Sequence, residues 1–528
     1  MKKVLLGLAL TSAMATSSAA RAANCLSISS LAAAPVTDNA MRLSVSFAGA
    51  STASLGGTPV IEYKTSAARS WQTSSATVRA GRTSVTLWGL DANQSYSVRV
   101  AQAGCAASPS RTVTATTSSV PNELPKIAIK TATSACTARS ALGCYDGSSP
   151  YVLFVAKADN SGTYADRSVV IVADRAGKIV WYQIAPKDAL LQPATWTDRG
   201  TIIALDGPFP ANVGAQKVYE YSLDGTTRAY TLESYASHEV FLDGNDVYTL
   251  GAKGHDADAS YVTDMIQRYN TVSGKTDYPW RLEDTFSTTA DLAAYGSQAC
   301  SGGLWSMASW INADGQMGVD SCAAAGALKV VDWSHGNSIA LYKGTNPVLQ
   351  NKAMVSLRTF FNHNSTLGIQ GSVAIVNPTN NTTPYMLGES GDFRLVSGTW
   401  FQTQHHATFI DSVVPEATLM LFDNQGLTNK SRVLQMKLDF AGMTASIVHE
   451  QRIVDYRGTE LYCSIEGAAF LTSGLKNIMA TCAESTAGLE YDVAGTLVWQ
   501  MEVKNAAGNA ANAMNTYRVQ PLASLPTP

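Results

Sequence analysis

Near the amino terminus apolar and polar side chains alternate with a period of two, further on short apolar runs recur between turns, and no long run shows the three-to-four-residue spacing of an amphipathic helix. Residues 43–47, 60–63, 84–88 and 96–100 show the alternation cleanly, and it is the pattern of half-buried strands. These four runs predict a small β-sandwich over residues 24–113. From residue 127 the alternation becomes a repeat. Six segments, 169–181, 218–225, 266–280, 372–380, 433–442 and 489–499, each read as an apolar strand, a turn with Gly or Asn, and a second strand. Trp181, Trp280 and Trp499 close three of them. A further hairpin precedes most, as in residues 239–250, where Asp243-Gly244-Asn245 turns between two strands. Two hairpins make a four-stranded blade, and six blades in a ring leave no exposed sheet edge. The predicted fold is therefore all-β: a six-bladed β-propeller over 127–528, preceded by a small β-sandwich domain. A Thr-, Ser- and Pro-rich linker over 114–126 joins them. Residues 283–329, Ala- and Gly-rich, exceed what a blade connection needs and read as an insertion that could lid one face.

The amino terminus reads as an export signal over residues 1–22. Lys2 and Lys3 precede the apolar residues 4–10, and Ala20-Arg21-Ala22 forms a small-x-small cleavage site. That apolar run is too short to span a bilayer, and Asn24 before Cys25 does not suit lipid attachment. The expected location is periplasmic or secreted. Eight cysteines agree with an oxidising compartment, and sequence proximity suggests the pairs 25–105, 136–144, 300–322 and 463–482. No CxxC pair exists to support a zinc site. A formal net charge of −3 argues against nucleic acid or an anionic membrane as partner.

Seven histidines occur, and three take similar places in consecutive repeats. His238 stands in Ser237-His-Glu-Val, His335 in Ser334-His-Gly-Asn337, and His405 in Gln404-His-His-Ala407. Each lies at a similar distance ahead of its own closing turn. Equivalent positions at the mouths of innermost strands converge on a propeller's channel, so the repeat gathers three imidazoles around one cavity, with Asn337 beside them. Arg358 ends the second strand of the His335 repeat and returns to the same face. A group of His, Asn and Arg without matched carboxylates suits a substrate carrying a compact anion such as sulfate or phosphate. The His405-His406 pair leaves open which ring faces the channel, because neighbours on a strand point opposite ways. Trp305, Trp310 and Trp400 are either stacking platforms for an aromatic substrate or core.

Two resemblances sharpen this picture. Gly89-Leu90 followed by Tyr96-x-Val98-x-Val100 resembles the fibronectin type III pattern. Asp332-Trp-x-His-x-Asn-Ser-Ile339, Ser356-x-Arg358, Leu387-Gly-Glu389, Gln404-His405, Leu421-Phe-Asp-Asn424 and Ser431-Arg-Val433 occur in the order found in the bacterial arylsulfate sulfotransferase family. That resemblance runs from about residue 169 to 503. It implies a small-molecule aryl sulfate donor, a phenolic acceptor and a sulfohistidine intermediate, with no cofactor. His405 matches the family's nucleophile, and His238, His335, Asn337 and Arg358 match the groups that bind the sulfuryl oxygens. A homodimer is compatible with it. The chain departs from the family at Thr359-Phe360, where His-Gln is usual, and at Asp423-Asn-Gln-Gly426, where Asp-Asn-Gly is usual. The departures bear on acceptor preference.

Other sulfur chemistry lacks its parts here. No Gly-rich loop for a nucleotide sulfate follows a strand, no Cys-x-Pro-x-Arg run could yield a sulfatase nucleophile, and neither a G-x-S-x-G elbow nor an H-E-x-x-H helix is present. The rival readings are a non-catalytic binding propeller and an aryl sulfate hydrolase.

Overall fold

The computed structural model describes most of residues 28–526. Outside the description lie 50–58, 78–83, 103–111, 207–215, 255–260, 286–308, 312–316, 320–330, 359–370 and 510–515, with shorter gaps elsewhere. Among the described residues every regular element is a strand except one 3-10 turn, Leu282–Asp284.

The amino-terminal residues form two antiparallel sheets. Ile28–Val36, Asn39–Gly49 and Ser84–Leu87 make one; Gln72–Thr77, Pro59–Thr65, Ser95–Gln102 and Val113–Thr116 make the other. Alternation does here what the sequence predicts: Tyr96, Val98 and Val100 are buried while their strand neighbours are half-exposed. They share one apolar core with Leu43, Val45, Ile61 and Leu87 from both sheets. Val113–Thr116 pairs with residues 95–98, so strand structure extends three residues into the Thr-rich stretch that reads as linker.

Six sheets of four or five strands follow in chain order, their strand orders beginning with Gln520–Leu522 and Tyr151–Lys157 in sheet I, Leu191–Trp196 in II, Tyr235–Asp243 in III, Gly336–Leu341 in IV, His405–Asp411 in V and Ala468–Leu471 in VI. All six hairpins read from the sequence are antiparallel pairs. Gly177 (φ 85°) and Gly495 (φ 82°) sit in their turns, in the left-handed region that a β-carbon disfavours. Two sheets are completed from afar. Gln520–Leu522 pairs with Tyr151–Lys157 in sheet I, and Lys126–Ala132 pairs with Leu497–Lys504 in sheet VI.

Apolar cores fill the space between each sheet and the next, and one more joins sheet VI to sheet I. The three tryptophans that close hairpins are buried in these cores, and each indole N–H finds an acceptor on the following sheet. Trp181 donates to the Leu223 carbonyl at 2.9 Å, Trp280 to Thr383 Oγ1 at 3.0 Å, and Trp499 to the Arg175 carbonyl at 2.9 Å. The same residue type thus fixes spacing and angle at three junctions.

Disulfides join Cys136 to Cys144 and Cys463 to Cys482. Cys25, Cys105, Cys300 and Cys322, with most of the 283–329 insertion, lie outside the described residues. Among the described residues no helix is long and apolar enough to cross a membrane.

Candidate active site

The site begins with a backbone irregularity that recurs. Register shifts interrupt the first strand of sheets II, III, IV and V, between residues 191/194, 237/240, 336/338 and 405/408. There the chain turns through positive φ at His238 (61°), His335 (44°) and His406 (51°), and Glu466 (58°) repeats this just ahead of sheet VI. Such a conformation costs a non-glycine residue about 1–3 kcal/mol and persists only where surroundings impose it. Each of these turns redirects a polar side chain at the start of a strand that is otherwise apolar.

The imidazoles of His238, His335 and His405 and the arginine Arg358 lie near one another. The His238 and His335 rings lie 5.0 Å apart edge to face. Tyr517 stands between sheets, its ring 6.0 Å from His238 and 6.3 Å from His405. Arg358 donates its backbone N–H to the His335 carbonyl at 3.1 Å and its guanidinium to the Ser464 carbonyl at 3.3 Å. Burial, then the neighbouring His335 and Arg358, holds the His238 pKa well below the usual imidazole value. Its Nδ1 is buried and has no hydrogen-bond partner among the described residues.

His405 is buried and its Nδ1 lies 2.7 Å from Asn424 Oδ1. The Asn424 amide cannot be reversed, because its Nδ2 donates to the Cys463 carbonyl at 2.6 Å and the Glu466 carbonyl at 2.9 Å. Oδ1 is therefore an acceptor, His405 carries its proton on Nδ1, and Nε2 bears the free lone pair. Burial first, then Arg358, keeps this ring neutral far below the ordinary imidazole pKa, against the opposing Asn424 bond.

His406 goes the other way. Its Nδ1 accepts the Ala469 N–H at 3.4 Å and its ring packs 4.4 Å from Phe470, on the flank of sheet VI. By backbone conformation His406, not His405, is the counterpart of His238 and His335; by contact His405 shares their site. The bulge separates the two rings just as a regular strand would.

Asn337 is buried and its Nδ2 donates to the Gln404 carbonyl at 2.6 Å, so one of its donors braces sheet IV against the strand that carries His405. Gln404 returns the tie through Nε2 to the Ser372 carbonyl at 2.8 Å. Beneath this, Arg432 pairs with Asp423 at 2.8 Å and Glu450 at 2.7 Å, fixing the loop that presents Asn424. The Ser431-Arg-Val433 and Phe422-Asp-Asn424 motifs thus serve one brace.

Three contributors escape a sequence reading. Tyr517 donates to the Asn337 carbonyl at 3.2 Å; Arg518 bonds Glu239 at 2.6 Å and the His238 carbonyl at 3.0 Å; and Glu466 is buried beside them. Trp400 packs on Phe401 within the core between sheets IV and V, Trp305 is outside the described residues, and Trp310 is described only as backbone. Among the described residues no cluster of three or more His, Cys, Asp or Glu is arranged to hold a metal ion.

Comparison with known proteins adds a family-level match: the model described as Arylsulfotransferase (ASST) matches residues 150–516. No curated protein sequence matches the chain. Among solved structures, an α-L-arabinofuranosidase of Fusarium graminearum is similar at 8% identity and TM-score 0.35, covering 73% of this chain and 98% of that one. The β-propeller domain of the Trilobed protease from Pyrococcus furiosus is similar at 9% identity and TM-score 0.24, covering 82% and 99%. Likenesses of this size carry nothing about chemistry.

Proposed function

The chain belongs to the arylsulfotransferase family, and from that membership we propose that it moves a sulfuryl group from a phenolic sulfate ester to a phenolic acceptor through a sulfohistidine on His405. The observation that carries this reading is the Nδ1–Asn424 bond, which leaves Nε2 of a neutral, buried imidazole as a nucleophile. Attack on sulfur expels the phenolate and spreads charge over three equatorial oxygens. In this reading His238, His335 and Arg358 supply the donors to those oxygens, and fixed donors cost no reorganisation during the reaction. Asn337 holds the strand that carries the nucleophile and offers its remaining N–H to the same group.

The six sheets are read as blades of a closed propeller, supported by the apolar core that joins sheet VI to sheet I. The amino-terminal pair of sheets is read as a fibronectin type III-like sandwich. Export to the periplasm or beyond fits the signal-like residues 1–22 and the two disulfides.

Incubation with 4-nitrophenyl sulfate and no acceptor, followed by intact-protein and peptide mass spectrometry, tests the mechanism. An added SO₃ should sit on the peptide containing His405, survive His406→Asn and vanish with His405→Asn. Phenol-dependent release then marks transfer, and release without acceptor marks hydrolysis. Binding without release or adduct would make the protein a non-catalytic binder and sink the proposal.

A further inference from the structure

Among the described residues Glu466 is the one acidic side chain at a positive-φ position, and it stands just ahead of the first strand of sheet VI as His335 stands just ahead of that of sheet IV. Gly467 follows at φ 104°, and a β-carbon there would come within 2.8 Å of the Phe422 ring, so the turn is held tightly. The side chain does not fold back on sheet VI. Its Oε1 accepts the Gln192 amide N–H at 2.7 Å from sheet II. Its backbone carbonyl holds the Asn424 amide that orients His405, at 2.9 Å. The carboxyl is therefore placed among the groups around the nucleophile, and its Oε2 is buried without a hydrogen-bond partner among the described residues. An ionised carboxylate so placed would leave a charge poorly solvated; a protonated one presents a single O–H donor. Because Oε1 is engaged as an acceptor, that proton belongs on Oε2.

We propose that Glu466 is the proton-transfer group of this site: its Oε2–H gives a proton to the departing phenolate oxygen, and the resulting carboxylate takes the proton of the acceptor phenol. The inference rests on the sulfuryl-transfer reading. In the first half-reaction the N–S bond to His405 Nε2 forms, the aryl S–O bond breaks, and the phenol leaves protonated. In the second the acceptor oxygen attacks sulfur, the N–S bond breaks, and Glu466 regains its proton. Atoms and charge balance over the cycle without another reactant.

The surroundings keep the acid charged with its proton. Burial pushes the carboxyl up to about 8, opposed by the Gln192 N–H and by the Arg358 and Arg518 guanidiniums, and assisted by Glu484. Tyr517, which also faces it, is pushed above the ordinary phenol range by burial and does not titrate near neutrality.

The test compares donors whose leaving phenols differ in basicity, using the full chain. Glu466→Gln keeps size and hydrogen bonding but cannot transfer a proton. Its kcat/KM for phenyl sulfate should fall about 10²-fold, as loss of general acid catalysis does, while that for 4-nitrophenyl sulfate changes less than about threefold. An equal loss with both donors, or none with either, overturns the inference. The His405 adduct with 4-nitrophenyl sulfate is read in parallel: its absence from the wild-type protein would sink the sulfohistidine reading, whereas its presence with a donor-independent effect sinks only the role of Glu466. Should the variant fail to fold, the wild-type pH profile decides. With phenyl sulfate kcat/KM should decline as pH rises through about 8, where Glu466 loses its proton. The 4-nitrophenyl sulfate profile should stay flat there, and a shared profile overturns the inference.

Discussion

The seam between sheets I and VI and the centre where sheets III, IV and V converge both bury polar groups, and they settle them in opposite ways. At the seam, charges meet their complements. Arg175 faces Glu490 at 2.8 Å, Asn477 donates to the same carboxylate at 2.9 Å, and the Arg175 Nε donates to the Ser149 carbonyl at 2.8 Å. At the centre, beside the complementary pair Arg518–Glu239, like also meets like: His238 against His335 at 5.0 Å, with Arg358 depressing the basicity of both His238 and His405. The seam is arranged for the folded chain. On the proposed function the centre is arranged for an anion, and local disagreement with the rules of stable packing is what such a site would show.

Variants can break or sharpen that contrast. The largest effect should come from Asn424→Ala, which frees the His405 tautomer; sulfohistidine formation per folded molecule should slow about 10³-fold, by analogy with the loss from a mis-set imidazole elsewhere. Loss of the amide from the Cys463 and Glu466 carbonyls should also lower stability by about 1–3 kcal/mol. Quenched-flow mass spectrometry reads the rate, and an unaltered rate would detach Asn424 from the nucleophile. Arg175→Met should act on stability alone. It leaves Glu490 buried alone and lowers unfolding free energy by about 3 kcal/mol in denaturant titration, with turnover per folded molecule unchanged. Arg358→Ala should cut turnover about 10²-fold, the usual loss for one transition-state donor, at little cost in stability. The smallest effect is with pH. An imidazole of ordinary pKa near 6.5 would lose about tenfold in its neutral fraction between pH 7.5 and 5.5. Since His405 is held neutral well below that range, its adduct rate should change less than about threefold over the interval. A tenfold fall would mean that the buried ring titrates normally.

The sequence made the strands legible because alternation and turn residues are local signals. It made His238, His335, His405, Asn337 and Arg358 legible because each is tied to a repeat phase or a spaced motif. Phase alone leaves one point open: backbone equivalence selects His406, and the contacts with Asn424 and with Phe470 are what separate the two rings. Glu466 was illegible since its repeat partners are histidines and the residues around it, Ser464-Ile-Glu-Gly467, form no motif. Tyr517 and Arg518 lie in a segment of small polar residues, and what brings them inward is the pairing of Gln520–Leu522 with a strand more than three hundred residues earlier. Pairing over such separation leaves no periodic trace.

That pairing also sets a timetable. Sheet I lacks its innermost strand until Gln520–Leu522 has joined Tyr151–Lys157, and the same closing move carries Tyr517 and Arg518 against Asn337, Glu239 and His238. A chain still emerging from the ribosome can therefore raise five sheets and hold all three histidines of the proposed site, yet lack the contacts that Tyr517 and Arg518 bring to it. On the proposed function, competence arrives only when residues 517–522 dock, all at once.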